Sequence, residues 1–226
     1  MPAWSFHIKV ANDIAKILEL TDEEKNLFIL SNLIPDIKSG YLFSVETTIE
    51  PKYSHYYNLN TDIRLPDLEK YEKKYLKNDI VSIGIYCHIC FDYYLNKLMN
   101  DKYFIFDKNG KISGIRTLNS IKYGNQEYCL KIKRENLSKI AKWINIRNEY
   151  IFPKNNIKIK IDSTIQNGTY IITEKDIELT EDWLSNNYKN TQLEFPKNEL
   201  FTEENIDKLF INAEEFILKK LNQHLL

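Results

Sequence analysis

Several residue types that define other classes of protein are scarce in this chain. Its 226 residues include only six glycines, six prolines and three cysteines. So little glycine and proline, in a chain rich in aromatic residues, argues against fibrous and disordered proteins. Cys87, Cys90 and Cys129 are odd in number and lack the spacing of a disulfide framework, which agrees with a reducing compartment.

Long apolar runs and an excess of charge of one sign are also missing. The longest nearly apolar run, residues 80–91, is shorter than the roughly 20 residues that span a bilayer. The first residues lack the basic start and apolar stretch of a secretory signal, so we expect a soluble, cytoplasmic protein. With 31 basic and 32 acidic residues, the net charge of −1 gives no clear nucleic-acid signal.

Apolar residues at helical spacing are abundant and predict a mainly α fold. Helices are predicted over residues 6–18, 21–33, 66–77, 80–99, 137–148, 180–187 and 202–221. Two short apolar runs around Asn109-Gly110 predict a β-hairpin within residues 103–116, and short strands are expected at 157–161 and 169–172. The length suits a single domain over residues 1–226 that carries this small β-hairpin insertion.

Two segments depart from regular patterns close to polar side chains. Pro35 disfavours helical dihedral angles at Ile34, which predicts that the second helix ends just before Asp36. Residues 40–62 have no clean period and are rich in tyrosine, threonine and serine, so we expect a long structured loop that carries His55. Asp36 is therefore expected at a helix-to-loop junction and His55 within a loop, which are common places for functional side chains.

Residues of metal-binding type are concentrated in the first two-fifths of the chain. They share apolar or aromatic surroundings and are His7, Asp36, His55, His88 and Asp92. A spacing of four places His88 and Asp92 one above the other on a helix face, so both can reach one ion. Mixed histidine and aspartate ligands suit zinc, with manganese or iron as alternatives, and are typical of hydrolytic sites.

Each of these residues also has an ordinary structural interpretation. A histidine in an apolar helix is commonly a core residue, and Asp92 could simply orient His88 or pair with a lysine. Asp36 could be a helix cap, and His55 could pack among the neighbouring tyrosines. A helical interaction module without a metal therefore stays open as an alternative, although all five ordinary interpretations must then hold together.

The order and context of these residues resemble the zinc-dependent phospholipase C family. The resemblance is carried by Trp4, His7, Asn32-Leu33-Ile34-Pro35-Asp36, Ser54-His55-Tyr56 and Gly84-Ile85-Tyr86-Cys87-His88-Ile89-Cys90-Phe91-Asp92. It covers roughly residues 1–100. Within the family, the chain most resembles small bacterial members that lack a signal peptide. It implies a multi-helical phospholipase C/nuclease-like bundle, with residues 1–100 as the metal-binding half and residues 101–226 as the hairpin insertion and C-terminal helices.

The resemblance also implies where metal ions would bind. Asp36, His55, His88 and Asp92 match the ligands of one zinc ion in the family. His7 and Asp92 match part of a second site, which shares the Asp92 carboxylate. The resemblance thus turns five separate candidates into a single predicted metal centre.

The chain departs from the family pattern at two places. Secreted members use the free amino group of an N-terminal tryptophan as a ligand, whereas Trp4 is internal here. The third zinc ion of the family needs two more histidines and a glutamate downstream. In this chain, His224 is the only histidine that follows Asp92. One or two zinc ions are therefore expected.

The function implied by the resemblance is metal-dependent hydrolysis of a phosphoester through metal-activated water. Asp36 is the candidate base that would position this water. The substrate would be a small phosphoester or a phospholipid-like molecule. The alternative is a catalytically degenerate relative that binds a metal or another ligand without turnover.

Overall fold

The protein is described by a computed structural model over residues 4–37, 39, 49–57, 65–144, 159–162, 169–187 and 194–224. These residues are mainly helical, as predicted, with a small antiparallel sheet of three strands. The helices are α1 (Trp4–Ile17), α2 (Asp22–Ile37), α3 (Pro51–Ser54), α4 (Leu68–Lys74), α5 (Ile80–Leu98), α6 (Gln126–Ile144), α7 (Glu174–Asn187) and α8 (Glu203–His224). Within these ranges, no helix is both long enough and apolar enough to cross a membrane.

The β insertion is larger than the predicted hairpin. Strands β1 (Phe104–Phe106), β2 (Ile112–Arg116) and β3 (Ile121–Tyr123) form an antiparallel sheet in the order β1-β2-β3. The first two strands are the predicted hairpin, whose turn uses Gly110 at φ 75°. The third strand was not predicted because three residues are too few to show an alternating pattern. Strands β4 (Ile159–Asp162) and β5 (Thr169–Ile172) pair separately, also antiparallel.

Helices α2 and α5 form the centre of the fold and pack closely together. Gly84 makes this approach possible, because a Cβ there would lie 2.6 Å from the Ser31 Cβ and 2.8 Å from the Phe28 carbonyl oxygen. The Asn32 side chain adds a hydrogen bond, donated by Nδ2 to the Gly84 carbonyl oxygen at 3.2 Å. The polar residues on these two helices are therefore held in a fixed register.

The end of α2 differs from the sequence prediction. The helix continues through Pro35 to Ile37, so the expected end before Asp36 is wrong. Proline removes the backbone donor that would have reached the Ser31 carbonyl, but only Asp36 and Ile37 follow it, so little of the helix lies beyond this interruption. Ser39 then caps the helix, because its backbone N and its Oγ donate to the Asp36 carbonyl oxygen at 3.2 and 2.6 Å.

Helices α6 and α7 begin well before their predicted starts at residues 137 and 180. Helix α6 starts at Gln126, where the Asn125 side chain accepts a hydrogen bond from the Tyr128 backbone N at 2.9 Å. Helix α7 starts at Glu174, where Thr173 and Asp176 form a capping box. The apolar pattern alone located the buried faces but not these polar starts. Residues 145–148 of the predicted helix lie outside the described residues.

Candidate metal centre

The five predicted metal-binding side chains meet in the interior of the protein. His7, His55, His88 and Asp92 are 0% exposed, and Asp36 is 3% exposed. They come from four separate segments of the chain, namely α1, α2, the end of α3 and α5. Composition and spacing alone could not show that these segments meet; the resemblance predicted a single centre, and the structure brings the five side chains together.

The local structure explains how each side chain reaches the centre. His7 lies in the first turns of α1, whose apolar residues face the core. Asp36 lies in the last turn of α2 rather than in a loop. His88 and Asp92 occupy successive turns of α5, as their spacing predicted.

His55 closes the short helix α3 and belongs to the segment that was predicted as a loop. It occupies the C-cap position of α3, and the next residue, Tyr56, has a left-handed backbone with φ 53°. This change of direction ends the helix at the point where the His55 ring faces the centre. The remainder of the predicted loop, residues 40–48 and 58–62, lies outside the described residues.

The donor atoms lie at distances suited to a shared ion. His55 Nε2 is 3.1 Å from Asp36 Oδ1 and 3.7 Å from Asp92 Oδ2. The other Asp92 contacts are His88 Nε2 to Oδ2 at 3.9 Å and His7 Nε2 to Oδ1 at 3.7 Å. The ligand atoms of a tetrahedral zinc site lie about 3.3–3.6 Å apart, given metal–ligand distances near 2.0–2.2 Å. Small side-chain movements would therefore complete a coordination shell.

Two overlapping sets of three residues each bring their donor atoms within 4.8 Å of one another. One set is His7, His88 and Asp92, and the other is Asp36, His55 and His88. Asp92 joins the sets, because Oδ1 approaches His7 while Oδ2 approaches His55 and His88. The geometry therefore offers two adjacent ion positions that compete for His88.

His88 has only one nitrogen available for an ion. Its Nδ1 is 2.6 Å from the backbone carbonyl oxygen of Asn32. A carbonyl oxygen can only accept, so Nδ1 carries the hydrogen and Nε2 presents its lone pair to the centre. Carbonyl groups commonly fix the orientation of a metal-binding imidazole in this way.

His55 is oriented by a similar arrangement. The Pro51 carbonyl oxygen lies 3.1 Å from Nδ1, and the Ser54 hydroxyl lies 2.9 Å from the same nitrogen. The carbonyl again requires a hydrogen on Nδ1, which directs Nε2 towards the Asp36 carboxylate. The short distance between Nε2 and this carboxylate requires either a proton or a metal ion between them.

The Asp36 and His55 pair is charged when a proton fills that position. Burial works against charge on His55, but the hydrogen bond to Asp36 and the charges of Asp36 and Asp92 raise the pKa of His55 above its ordinary value. Burial likewise opposes charge on Asp36, yet the hydrogen bond with His55 holds the pKa of Asp36 below its ordinary value. A metal ion binding here would displace the proton of His55.

His7 and His88 behave differently from His55. Their rings stack with centroids 3.8 Å apart and an interplanar angle of 7°. Burial lowers the pKa of both residues, and repulsion from His7 and His55 adds to the effect on His88. Both rings are therefore neutral near pH 7, the form in which imidazole binds metals.

The centre contains buried polar atoms that receive no hydrogen bond from the residues that the structure describes. They are Asp92 Oδ1 and Oδ2, His88 Nε2 and both ring nitrogens of His7. Leaving buried polar groups in this state is unfavourable, especially for a carboxylate. Imidazole nitrogens and carboxylate oxygens are the donors that zinc prefers, so the residues present fit a zinc ion.

The residues that orient the two histidines were not recognised from the sequence. Asn32, through its backbone carbonyl, and Ser54 contact the imidazole nitrogens of His88 and His55 that face away from the centre. One signal was available, since Asn32 precedes Asp36 by four residues and must share a helix face with it. The contact between Asn32 and His88 joins two helices and could not be read from either one alone.

The fold and the centre together define a mainly helical protein with a buried histidine and aspartate cluster that can hold a metal ion. No family model, curated protein or solved structure matches the chain.

Proposed function

We propose that the protein is a zinc-dependent phosphoester hydrolase related to the zinc-dependent phospholipase C family. The observation that carries the proposal is the Asp92 carboxylate. Both of its oxygens are buried, receive no hydrogen bond from the described residues, and face imidazole nitrogens of three histidines. A divalent cation is the partner that this arrangement lacks.

Charge balance supports one tightly bound ion. Asp36 and Asp92 supply two negative charges, which a divalent ion neutralises once His55 has lost its proton. Asp36, His55 and His88 would hold this ion, with Asp92 Oδ2 close by. A second ion would have fewer donors, because His88 Nε2 serves one ion at a time.

His7 would determine how well a second ion binds. Its Nε2 lies 3.7 Å from Asp92 Oδ1, which is the carboxylate oxygen that does not face His55. Two protein donors alone make a weak site, since structural and catalytic zinc sites use three or four. We therefore expect the second position to fill only at higher zinc concentrations.

In the proposed reaction, a bound zinc ion would supply Lewis-acid activation of water and of a phosphoryl oxygen. Asp36 would position the attacking water and accept its proton, which is the role that the resemblance to the family implies for it. The carbonyls of Asn32 and Pro51 hold His88 and His55 in place during this step. The surrounding core excludes bulk water, which strengthens electrostatic interactions at the centre.

A second candidate function is metal or ligand binding without turnover. The observation that favours it is burial, because four of the five side chains are 0% exposed. A substrate must reach the ion, and catalytic zinc sites keep a coordination position open. Turnover and metal binding must therefore be measured separately.

The test uses protein that has been stripped of metal and then titrated with zinc. We expect wild-type protein to bind about one equivalent tightly, and His88→Ala to lose this binding while retaining its helical circular dichroism. His224→Ala is the matched control, because His224 lies beside Glu72 and not at the centre. Absence of zinc uptake by the wild type would overturn the proposed metal centre.

Turnover is tested on the zinc-loaded protein with aryl phosphomonoesters and phosphodiesters. Activity that disappears with a chelator and returns with zinc, and that is lost in Asp36→Asn, would support hydrolysis. Full zinc loading without turnover on this panel would favour the binding function instead.

A further inference from the structure

Lys133 is a buried cation close to the metal centre that the proposed ligands do not explain. It lies on α6, and its side chain is 5% exposed. Lysine is almost never buried to this extent without a charged partner. Burial lowers the pKa of Lys133 to about 8, and the charge of Asp92 acts in the opposite direction. The ammonium group is therefore still charged near pH 7.

The hydrogen bonds of this ammonium group are incomplete. Nζ carries three hydrogens and donates one hydrogen bond, to Asn96 Oδ1 at 2.7 Å. That partner is a neutral amide. Among the described parts of the chain, no carboxylate lies within ion-pair distance of Lys133. Two N–H donors of this buried cation therefore have no acceptor among the described residues.

The position of Lys133 places these donors beside the metal centre. Asn96 follows Asp92 by one turn of α5, so the two side chains share a helix face about 5–6 Å apart. Lys133 Nζ lies on that face through its contact with Asn96. A ligand bound at the ion and extending one helical turn along α5 would therefore meet the ammonium group.

Charge balance indicates what kind of ligand this is. A divalent ion neutralises Asp36 and Asp92, which leaves the charge of Lys133 unmatched in a buried position. Unmatched buried charge is unfavourable, so an anion is expected to complete the site. Lysine binds phosphate oxygens as a compact point charge, and such charge-assisted bonds are strong.

We propose that Lys133 and the zinc ion form one binding site for a phosphoryl group, in which Lys133 holds an oxygen remote from the ion. This inference rests on the proposed function and names a substrate-binding residue for it. Asn96 then acts as a positioning residue, since it holds Nζ on the α5 face that carries Asp92. The phosphoryl group could belong to a small phosphoester or to a phospholipid.

The test measures anion binding and does not depend on turnover. Zinc-loaded protein is titrated calorimetrically with inorganic phosphate, and separately with a short-chain phosphatidylcholine kept below its micelle concentration. Lys133→Met removes the charge but keeps an unbranched apolar chain of similar length. We expect it to weaken phosphate binding by about 10- to 100-fold, with zinc content and circular dichroism unchanged.

Two further variants separate binding from stability. Lys133→Arg keeps the charge and should restore most of the affinity. Lys131→Met is the matched control on the same helix, because Lys131 is exposed and pairs with Glu135 at 3.9 Å. It should bind phosphate like the wild type. A general loss of stability in Lys133→Met would appear in its melting temperature, whereas loss of the proposed contact appears in the phosphate affinity alone.

The outcomes distinguish the two proposals. Equal phosphate and lipid affinities in wild type and Lys133→Met would overturn the role of Lys133 while leaving the zinc centre intact. If the wild type bound no zinc, the metal proposal would fail, and phosphate binding that depended on Lys133 would still support an anion site. Dependence on Lys133 for phosphate would indicate a small phosphoester, and dependence only for the lipid would indicate a phospholipid.

Discussion

Two carboxylates, the half-buried Glu72 of α4 and the buried Asp92 of α5, differ in how the protein satisfies them. Glu72 accepts hydrogen bonds from the Tyr86 hydroxyl and from Lys220 Nζ, the latter at 3.0 Å, and its second oxygen lies 3.2 Å from His224 Nε2. Asp92 receives no hydrogen bond from the described residues, although imidazole nitrogens lie 3.7 and 3.9 Å away. We refer to these as the Glu72 cluster and the Asp92 cluster.

The difference shows that histidine and carboxylate groups near one another do not by themselves indicate a metal site. Burial opposes charge on Glu72, but the bonds from Tyr86 and Lys220 hold its pKa below the ordinary value. The Glu72 cluster is thus complete with protein groups alone. In the Asp92 cluster, buried oxygen and nitrogen atoms receive no hydrogen bond from the described residues, and a bound metal ion would satisfy them.

The largest expected effect comes from exchanging the two carboxylates for amides, one at a time. Asp92→Asn should lower zinc affinity by at least about 100-fold, because it neutralises a ligand and loss of an outer contact alone costs 10–100-fold. Glu72→Gln should leave zinc affinity unchanged. Isothermal titration of both variants measures the difference. Equal zinc affinities would remove the distinction between the clusters.

A smaller effect is expected from the packing that supports the Asp92 cluster. Gly84→Ala would place a Cβ against Ser31 and Phe28 of α2, so α2 must move away from α5. Overpacking of this kind costs about 1–3 kcal/mol of unfolding free energy. Zinc affinity should fall as well, because Asp36 moves with α2. Urea unfolding with and without zinc measures both effects.

Gly114→Ala provides the comparison for that substitution. Gly114 lies in the small sheet, and an added Cβ would meet the Lys122 carbonyl oxygen at 3.1 Å. Some loss of stability is expected there, without a loss of zinc affinity. If both glycine variants lowered zinc affinity equally, the contact of α2 with α5 would not be what holds the centre.

These particulars show how far the sequence could predict the structure. Helical spacing located α1, α5 and α8, and it placed His88 and Asp92 on one face. All five candidate residues proved to lie together, although their roles as ligands stay a prediction. The rule for the residue before proline failed at Pro35, which α2 accommodates two residues before its end at Ile37. The Glu72 cluster was not foreseen because it joins α4, α5 and α8.

An effect of about tenfold is expected from the contact behind His55. Ser54→Ala removes the hydroxyl that lies 2.9 Å from His55 Nδ1. Outer contacts of metal-binding histidines are worth about 10–100-fold in affinity, and the Pro51 carbonyl remains to orient the ring. Zinc titration tests this, with Ser120→Ala, in the turn between β2 and β3, as the control. An unchanged affinity would assign the orientation of His55 to Pro51 alone.

The smallest expected effect concerns a third carboxyl group, Glu214 on α8. Burial and the neighbouring charge of Asp13 raise the pKa of Glu214 from 4.5 to about 7. Glu214 therefore keeps its proton to a higher pH than an exposed carboxyl group does. Because the folded-state pKa is raised, the stabilisation is complete below about pH 4.5 and is lost as the pH rises through about 7.

Glu214→Gln should therefore flatten the pH dependence of stability between these values. At pH 8 the variant should be more stable by about 1 kcal/mol, a figure that allows for solvent screening of a half-exposed group. Thermal unfolding from pH 4 to 8 measures this, with the exposed neighbour Glu215→Gln as the control. Parallel curves for Glu214→Gln and wild type would contradict the assignment.

The left-handed backbone of Tyr56 has a consequence for the kinetics of the centre. A non-glycine residue in this conformation costs about 1–2 kcal/mol, and the ring contacts of Tyr56 with Tyr71 and Tyr75, at 4.7 and 5.1 Å, hold it in place. These contacts join the segment that carries His55 to α4, so we expect the two to open together. The rate at which a bound ion exchanges with solvent would then depend on the local opening of α4, although this helix supplies none of the proposed ligands.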